Sequence, residues 1–358
     1  MRVAIIGGGI NGLSCAVQIL EYFKKHTKTE VTVISEAISP NTTGDGSAGL
    51  WGPFLLGGTS TKLIKKNKNK KPYFLSQFTI FSKIIMHEFL ENIWLTEDAG
   101  EAGVCLIPVV RLTTETATMD DFWTDIVYGC QKLTQKQLDD YSIGRSKKFT
   151  AGMHFITYTS EPIKFLPYLM KRFQAQGGKV QQKKVTNFDE YVHNKDYDVI
   201  INCSGLGSRD MLKDNQMHAV RGQVSRVKAN WLYYAFLDES DDGNYVIPNC
   251  DSVVLGGTHQ IDDYNLTVST QDKKFITNGC LQTVPSLAQA QPLFDWVGLR
   301  PGRTMLRLEV DEQVDDKIVI HNYGHGGSGV TLSWGCAEDV LSLLQAEVMK
   351  RNLIKSKL

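Results

Sequence analysis

An apolar run, Val3 to Ile6, stops at Gly7 and gives way to hydrophobic positions spaced three and four apart: Leu13, Ala16, Val17, Leu20 and Phe23. The first pattern predicts a buried strand, and the second a helix with one apolar face. Lys24, Lys25 and His26 suit the helix C-terminus, where carbonyl dipoles favour positive charge. A second strand is predicted over Val31 to Ser35. Further along, Ile84 to Ile93, a polar stretch near Lys132 to Tyr141 and Pro162 to Gln176 read as helices, the last with Leu166, Leu169 and Phe173 on one side. Val104 to Val110, Phe155 to Tyr158, Lys179 to Val185 and Asp198 to Asn202 read as strands. The texture then changes. Val220 to Val227 and Ser252 to Gly257 alternate like antiparallel strands, with a loop from Asp238 to Asn244 between them.

The junction of the first strand and helix is Gly7-Gly8-Gly9-Ile10-Asn11-Gly12, a Gly-x-Gly-x-x-Gly turn. Such a turn lets backbone approach a pyrophosphate, and the helix behind it aims unpaired N–H groups at the same phosphates. Glu36, closing the second strand, is placed to take ribose hydroxyls. Strand, glycines, helix, strand and acid in succession specify a dinucleotide site far better than the glycines alone. Asp198 to Ser204 is expected to return beside the first strand and bring a second loop to the same cofactor.

A second glycine-rich turn follows Val319, running Gly324-His325-Gly326-Gly327-Ser328-Gly329 into a helix with Ala337, Val340, Leu341, Leu344 and Val348 on one face. Its positive pole needs a second anion. The N1–C2=O edge of a reduced flavin supplies one and a nicotinamide does not, so FAD is preferred over NAD.

The chain has 358 residues, room for two domains or one interleaved fold. Lys+Arg and Asp+Glu balance at 39 each, which argues against a nucleic-acid partner. The lysine-rich run Lys65 to Lys71 reads as a solvated loop, and no stretch is long and apolar enough to predict a membrane span or a secretory signal. The opening motif, starting at residue 3, predicts that no presequence precedes it. The seven cysteines are scattered, with no Cys-x-x-Cys, which predicts reduced thiols and no metal. Ser356-Lys357-Leu358 matches the peroxisomal address, which predicts an import receptor as partner and a peroxisomal location.

Together these motifs resemble the D-amino-acid oxidase family. The resemblance rests on Ile6 to Ser14, Thr42-Thr43 with Ala48 to Trp51, Ile201 to Gly205, Arg221 to Gln223, Tyr245 to Pro248, Leu255 to Thr258, Gly298 to Pro301 and His321 to Gly327, in family order across nearly the whole chain. Leu55 to Phe81 alone fails to match.

The resemblance implies an α/β fold: a Rossmann-type FAD-binding domain (1–50, 155–215, 300–350) interleaved with an antiparallel-sheet substrate domain (51–154, 216–299) and followed by a tail (351–358). It implies FAD held by Gly7, Gly9, Ile10, Asn11, Gly12, Glu36, Thr42, Thr43, Ser47, Ala48, Gly49, Leu50, Val185, Ser204, Gly326, Gly327, Ser328, Gly329, Val330 and Thr331. A small gap near Val185 and Ser204 makes these two the least secure. The implied reaction oxidises a D-amino acid by hydride transfer from Cα to flavin N5, with dioxygen as acceptor, yielding a 2-oxo acid, ammonia and hydrogen peroxide. Arg300 matches the clamp on the α-carboxylate, Tyr245 its hydroxyl partner and Gly327 the carbonyl that accepts the amine. No general base is required, which makes His321 and His325 structural.

Asn202 to Arg209, Val220 to Gln223, Asp121 to Asp125 and a short connection from Phe236 to Tyr245 lean toward the D-aspartate branch, and hence toward acidic substrates. Two departures favour neutral or basic substrates instead. His259 stands where that branch has an arginine, and the acidic stretch Phe236 to Asn244 carries no counterpart of its lid arginine. A partly protonated His259 would still bind a second carboxylate, weakly and with a pH dependence. A flavin-binding protein without turnover is the reading from a different class.

Overall fold

The computed structural model describes residues 1–52, 75–115, 123–145, 147–240, 243–314 and 316–355. The lysine-rich run Lys65 to Lys71, Asp121 and Phe122, and the terminal Ser356-Lys357-Leu358 lie outside them.

Val3, Ala4 and Ile5 are fully buried, as are Val199 to Ile201 within one per cent, because both faces of their sheet are covered. Among the described residues, six strands form this sheet in the order Arg307–Val310, Ile318–Tyr323, Val199–Asn202, Arg2–Ile6, Glu30–Ser35 and Lys179–Gln182. All neighbours are parallel except the first pair. The expected return strand is in place, with Val3 opposite Val199 and Ile6 opposite Asn202.

Helix Ile10–Phe23 lays Ala16, Val17 and Leu20 in the same core as Leu332, Ala337, Val340 and Leu344 of the last helix, Gly329–Lys355. The two glycine-rich turns therefore open onto one end of the sheet. A Cβ on Gly7 would stand 2.4 Å from the Cys203 carbonyl oxygen, so glycine lets the first turn and the return loop touch.

The second sheet holds nine strands among the described residues. Its path is Gln260–Ile261, His218–Lys228, Val253–Gly256, Asn244–Pro248, Ala235–Asp238, Val104–Thr113, Ala151–Ser160 and Tyr128–Lys132, with Gln291–Gly302 along the other side of His218–Lys228. The pairing is antiparallel except where Val104–Thr113 meets Ala235–Asp238.

Several boundaries move. The stretch read as one helix near Lys132 to Tyr141 is a strand, Tyr128–Lys132, and then a helix, Gln135–Ser142. Thr134 starts that helix with a capping box to Gln137, a start signal that polarity alone obscures. The strand expected over Lys179 to Val185 ends at Gln182, and the helix around Ile84 to Ile93 spans Leu75–Trp94. Asp238 and Asn244 of the expected loop are the ends of paired strands. The expected domain limits at 155 and 300 fall inside Ala151–Ser160 and Gln291–Gly302, each of which pairs within the antiparallel sheet.

Candidate active site

Two adjoining hollows share Thr43, Ser47, Arg300, Gly327 and Val330. The longer one runs from the first glycine turn to the second. Of the residues expected to hold a dinucleotide, Gly7, Gly9, Ile10, Asn11, Glu36, Thr42, Thr43, Ser47, Ser204, Gly326, Gly327, Gly329 and Val330 line it. The other is a chamber between the sheets. Ala48, Gly49, Leu50 and Thr331 line it, together with Tyr245, His259 and Arg300.

Three of the expected residues do not line either hollow. Gly12 sits inside the first helix, where a Cβ would stand 1.9 Å from the Gly7 carbonyl oxygen; it shapes the turn from behind. Ser328 is fully buried. Val185 packs against the cluster of Ile6, Ile34 and Phe188, because the sheet strand before it has already ended at Gln182.

The cleft wall is held by a residue that the sequence motifs did not include. Asp45, 3% exposed, accepts from the Thr42 backbone N–H (2.7 Å), the Thr42 hydroxyl (2.6 Å) and the Ser39 hydroxyl (2.5 Å). Its carboxylate fixes the loop that presents Thr42 and Thr43. Farther out, Glu36 is paired with Lys184 at 2.8 Å on the surface.

Buried atoms without partners among the described residues show what the cleft can take. Asn11 Oδ1, Ser47 Oγ and His325 Nε2 all belong to residues of its wall. Buried polar atoms are normally hydrogen-bonded, so these await a polar ligand. Burial pushes the His325 pKa down to about 4, so its ring is neutral near neutral pH. His321 lies behind the cleft wall, fully buried between Asn202 (3.2 Å) and Asp311 (3.1 Å), and burial lowers its pKa too. With Asn202 donating to Nδ1, Nε2–H donates to Asp311. Its contacts join strands.

In the chamber, Arg300 extends from Gln291–Gly302, and its Nη1 donates to the Thr258 carbonyl at 2.9 Å. The Tyr245 pKa rises through burial, with the positive charge of nearby Arg300 opposing. Glycines make this packing possible. A Cβ on Gly222 would stand 2.4 Å from Arg300 Nη1, and one on Gly256 would stand 2.0 Å from Tyr245 Cζ. Trp296 lies against Gly46 and Gly298 in the same way, at 2.1 and 1.9 Å.

Trp296, Leu237, Ile247, Asp238 and Glu239 also line the wall; the sequence marked the two acids as part of an acidic stretch but did not place any of the five in the chamber. Alternation along a strand offered a signal, but only the register decides which face meets the chamber. Asp238 is held by Lys147 at 2.9 Å and Glu239 by Arg111 at 2.6 Å.

Comparison with known proteins places the chain in a family. Residues 2–343 match the model of a family described as FAD dependent oxidoreductase. The chain is 36% identical over 360 residues to "D-amino acid oxidase" of Dugesia ryukyuensis, covering 99% of this chain and all of that protein. It is 33% identical to "D-aspartate oxidase" of Homo sapiens, covering 96% of this chain and 94% of that one. Among solved structures, glycine oxidase from Geobacillus kaustophilus superposes with a TM-score of 0.75 at 18% identity, covering 96% and 95% of the two chains.

Proposed function

For a chain that belongs to the FAD dependent oxidoreductase family and takes FAD as its cofactor, we propose that it oxidises D-amino acids to imino acids, which hydrolyse to 2-oxo acids and ammonia. FAD held there would supply a hydride acceptor for the substrate Cα and a route for the electrons to dioxygen, giving hydrogen peroxide. The observation that carries the reading is the placement of Arg300: it lines both the cleft and the chamber, where Tyr245 stands on the same wall.

In this reading the glycine turns hold the cofactor's phosphates, while Asp45 stiffens the loop carrying Thr42 and Thr43. Asn11, Ser47 and His325 meet its polar edges. Arg300 takes the α-carboxylate through its planar fork, and Tyr245 shares it. The Gly327 carbonyl accepts from the amine. These contacts fix Cα at the mouth of the cleft, and such orientation supplies much of the rate. A neutral amine needs no strong base. His325, held neutral by burial, has a structural role.

Acidic D-amino acids are the preferred substrates in this reading, with His259 on the chamber wall as the partner of the second carboxylate. A second reading has a specific observation in its favour. Asp238 and Glu239 stand on the same wall, which suits neutral or basic side chains. Oxidation rates on D-aspartate, D-alanine and D-lysine separate the two: a faster rate on either of the last two overturns the acidic assignment.

The central test is anaerobic. A D-amino acid should bleach the bound flavin of the native enzyme, and Arg300→Ala should keep its flavin yet lose turnover by about 100-fold or more, as expected for removing a charge-assisted clamp. Unchanged activity at saturating substrate overturns the clamp. Import into peroxisomes through Ser356-Lys357-Leu358 is part of the same proposal. A fluorescent fusion with and without the tripeptide tests it.

A further inference from the structure

Cys105 and Cys250 are 145 residues apart in the chain, yet their sulfurs stand 3.5 Å apart. Cys105 is the second residue of the strand Val104–Thr113, and Cys250 follows the strand Asn244–Pro248 that carries Tyr245. Cys250 is exposed and Cys105 half-buried, so small solutes reach the pair. Cys15 and Cys203, 3.9 Å apart, make a telling contrast: both are buried in the core. A hydrogen bond joins the two sulfurs and holds the Cys105 pKa down to about 7, with burial and Glu161 opposing the thiolate and the Lys164 ammonium favouring it. The Cys250 pKa is raised by the same contact. A nucleophilic thiolate therefore sits against a protonated neighbour able to resolve it.

The surroundings join this pair to the cofactor loop. The Cys250 backbone N–H donates to Glu161 at 3.1 Å, and Glu161 pairs with Arg226 at 3.5 Å. Arg226 in turn donates to the Ser47 carbonyl at 3.2 Å, while Asn249 donates to the Ala48 carbonyl at 2.9 Å.

We propose that Cys105 and Cys250 form a modification site, a dithiol that hydroperoxides oxidise to a reversible disulfide. The Cys105 thiolate attacks one peroxide oxygen and breaks the O–O bond, forming a sulfenic acid; the departing hydroxide takes the Cys250 proton as water. The Cys250 thiolate then attacks the sulfenic sulfur, the S–O bond breaks, and a second hydroxide leaves and is protonated. Two thiols lose two electrons and one hydrogen peroxide becomes two waters. The sulfurs must close from 3.5 Å to about 2.05 Å, within the reach of side-chain rotation and a small shift of the exposed turn. The inference rests on the oxidase reading only for the source of peroxide; the thiol chemistry stands apart from it.

The experiment exposes reduced holoenzyme to hydrogen peroxide, quenches with N-ethylmaleimide and maps peptides without reduction. A cross-linked pair containing Cys105 and Cys250, lighter by two hydrogens and reopened by dithiothreitol, is expected. In Cys250→Ser, Cys105 should instead be trapped by dimedone as the sulfenic acid. Recovery of both cysteines as maleimide adducts, or oxidation of Cys105 to sulfinic acid without linkage, overturns the site. A parallel sample receives D-alanine or D-aspartate in air, with and without catalase. If added peroxide links the pair and turnover does not, the oxidase reading fails while the modification site stands.

Discussion

The Arg300 guanidinium lies on the bare backbone of Gly222, where a Cβ would stand 2.4 Å from Nη1 and 2.5 Å from Cζ. The two residues sit on the paired strands Gln291–Gly302 and His218–Lys228. A methyl group there cannot coexist with the observed arginine, while the strand itself tolerates alanine. Gly222→Ala should leave the flavin spectrum and the unfolding midpoint nearly unchanged and lower kcat/KM by about 100-fold, the cost of displacing a positioning group by an ångström or so. Native kinetics in the variant would show that the arginine does not orient the substrate.

His259 stands on the chamber wall. Replacing it by arginine puts a permanent charge there, able to fork onto a carboxylate. His259→Arg should raise the ratio of D-aspartate to D-alanine kcat/KM by about tenfold, the worth of one partly solvated ion pair or a little more. A ratio that stays put places the side-chain pocket elsewhere.

Asp45 accepts three hydrogen bonds from Thr42 and Ser39 while almost fully buried. Asp45→Ala leaves those donors without their acceptor, at about 1–3 kcal/mol for the group most deeply buried. The loop presenting Thr42 and Thr43 should loosen, and the FAD dissociation constant should rise by about 10-fold or more. Fluorescence titration of the apoprotein checks this, and native affinity would remove Asp45 from the cofactor's support.

Acid should destabilise the protein through His325. Burial lowers its folded pKa from the unfolded value near 6.5 to about 4, so between those values the unfolded chain binds a proton that the folded chain refuses. Stability then falls as pH drops through that window, by up to about 3 kcal/mol at 1.4 kcal/mol per unit. Denaturant unfolding at pH 7.5 and pH 4.5 measures the loss. His325→Asn, which cannot titrate, should flatten that slope, and a slope identical to the native protein's would assign the effect to other groups.

The amino-acid sequence alone determined the nucleotide layer: the strand Arg2–Ile6, its glycine turn, the helix behind it, the returning strand at Val199–Asn202 and the second glycine turn at Gly326. These features are local. A turn, a cap or a helical face is set by residues within about one helical turn of one another, so it can be read without knowing what packs above. The chamber is different. That Arg300 lies on Gly222 and Tyr245 on Gly256 depends on strand registers, the first joining segments far apart in the chain. A slip of one residue would send each of those side chains to the opposite face. The same reason left the acidic stretch at Asp238 and Glu239 without a position on the chamber wall, and hid the meeting of Cys105 with Cys250. It also moved Val185 away from the cleft, because only the sheet decides where its strand ends.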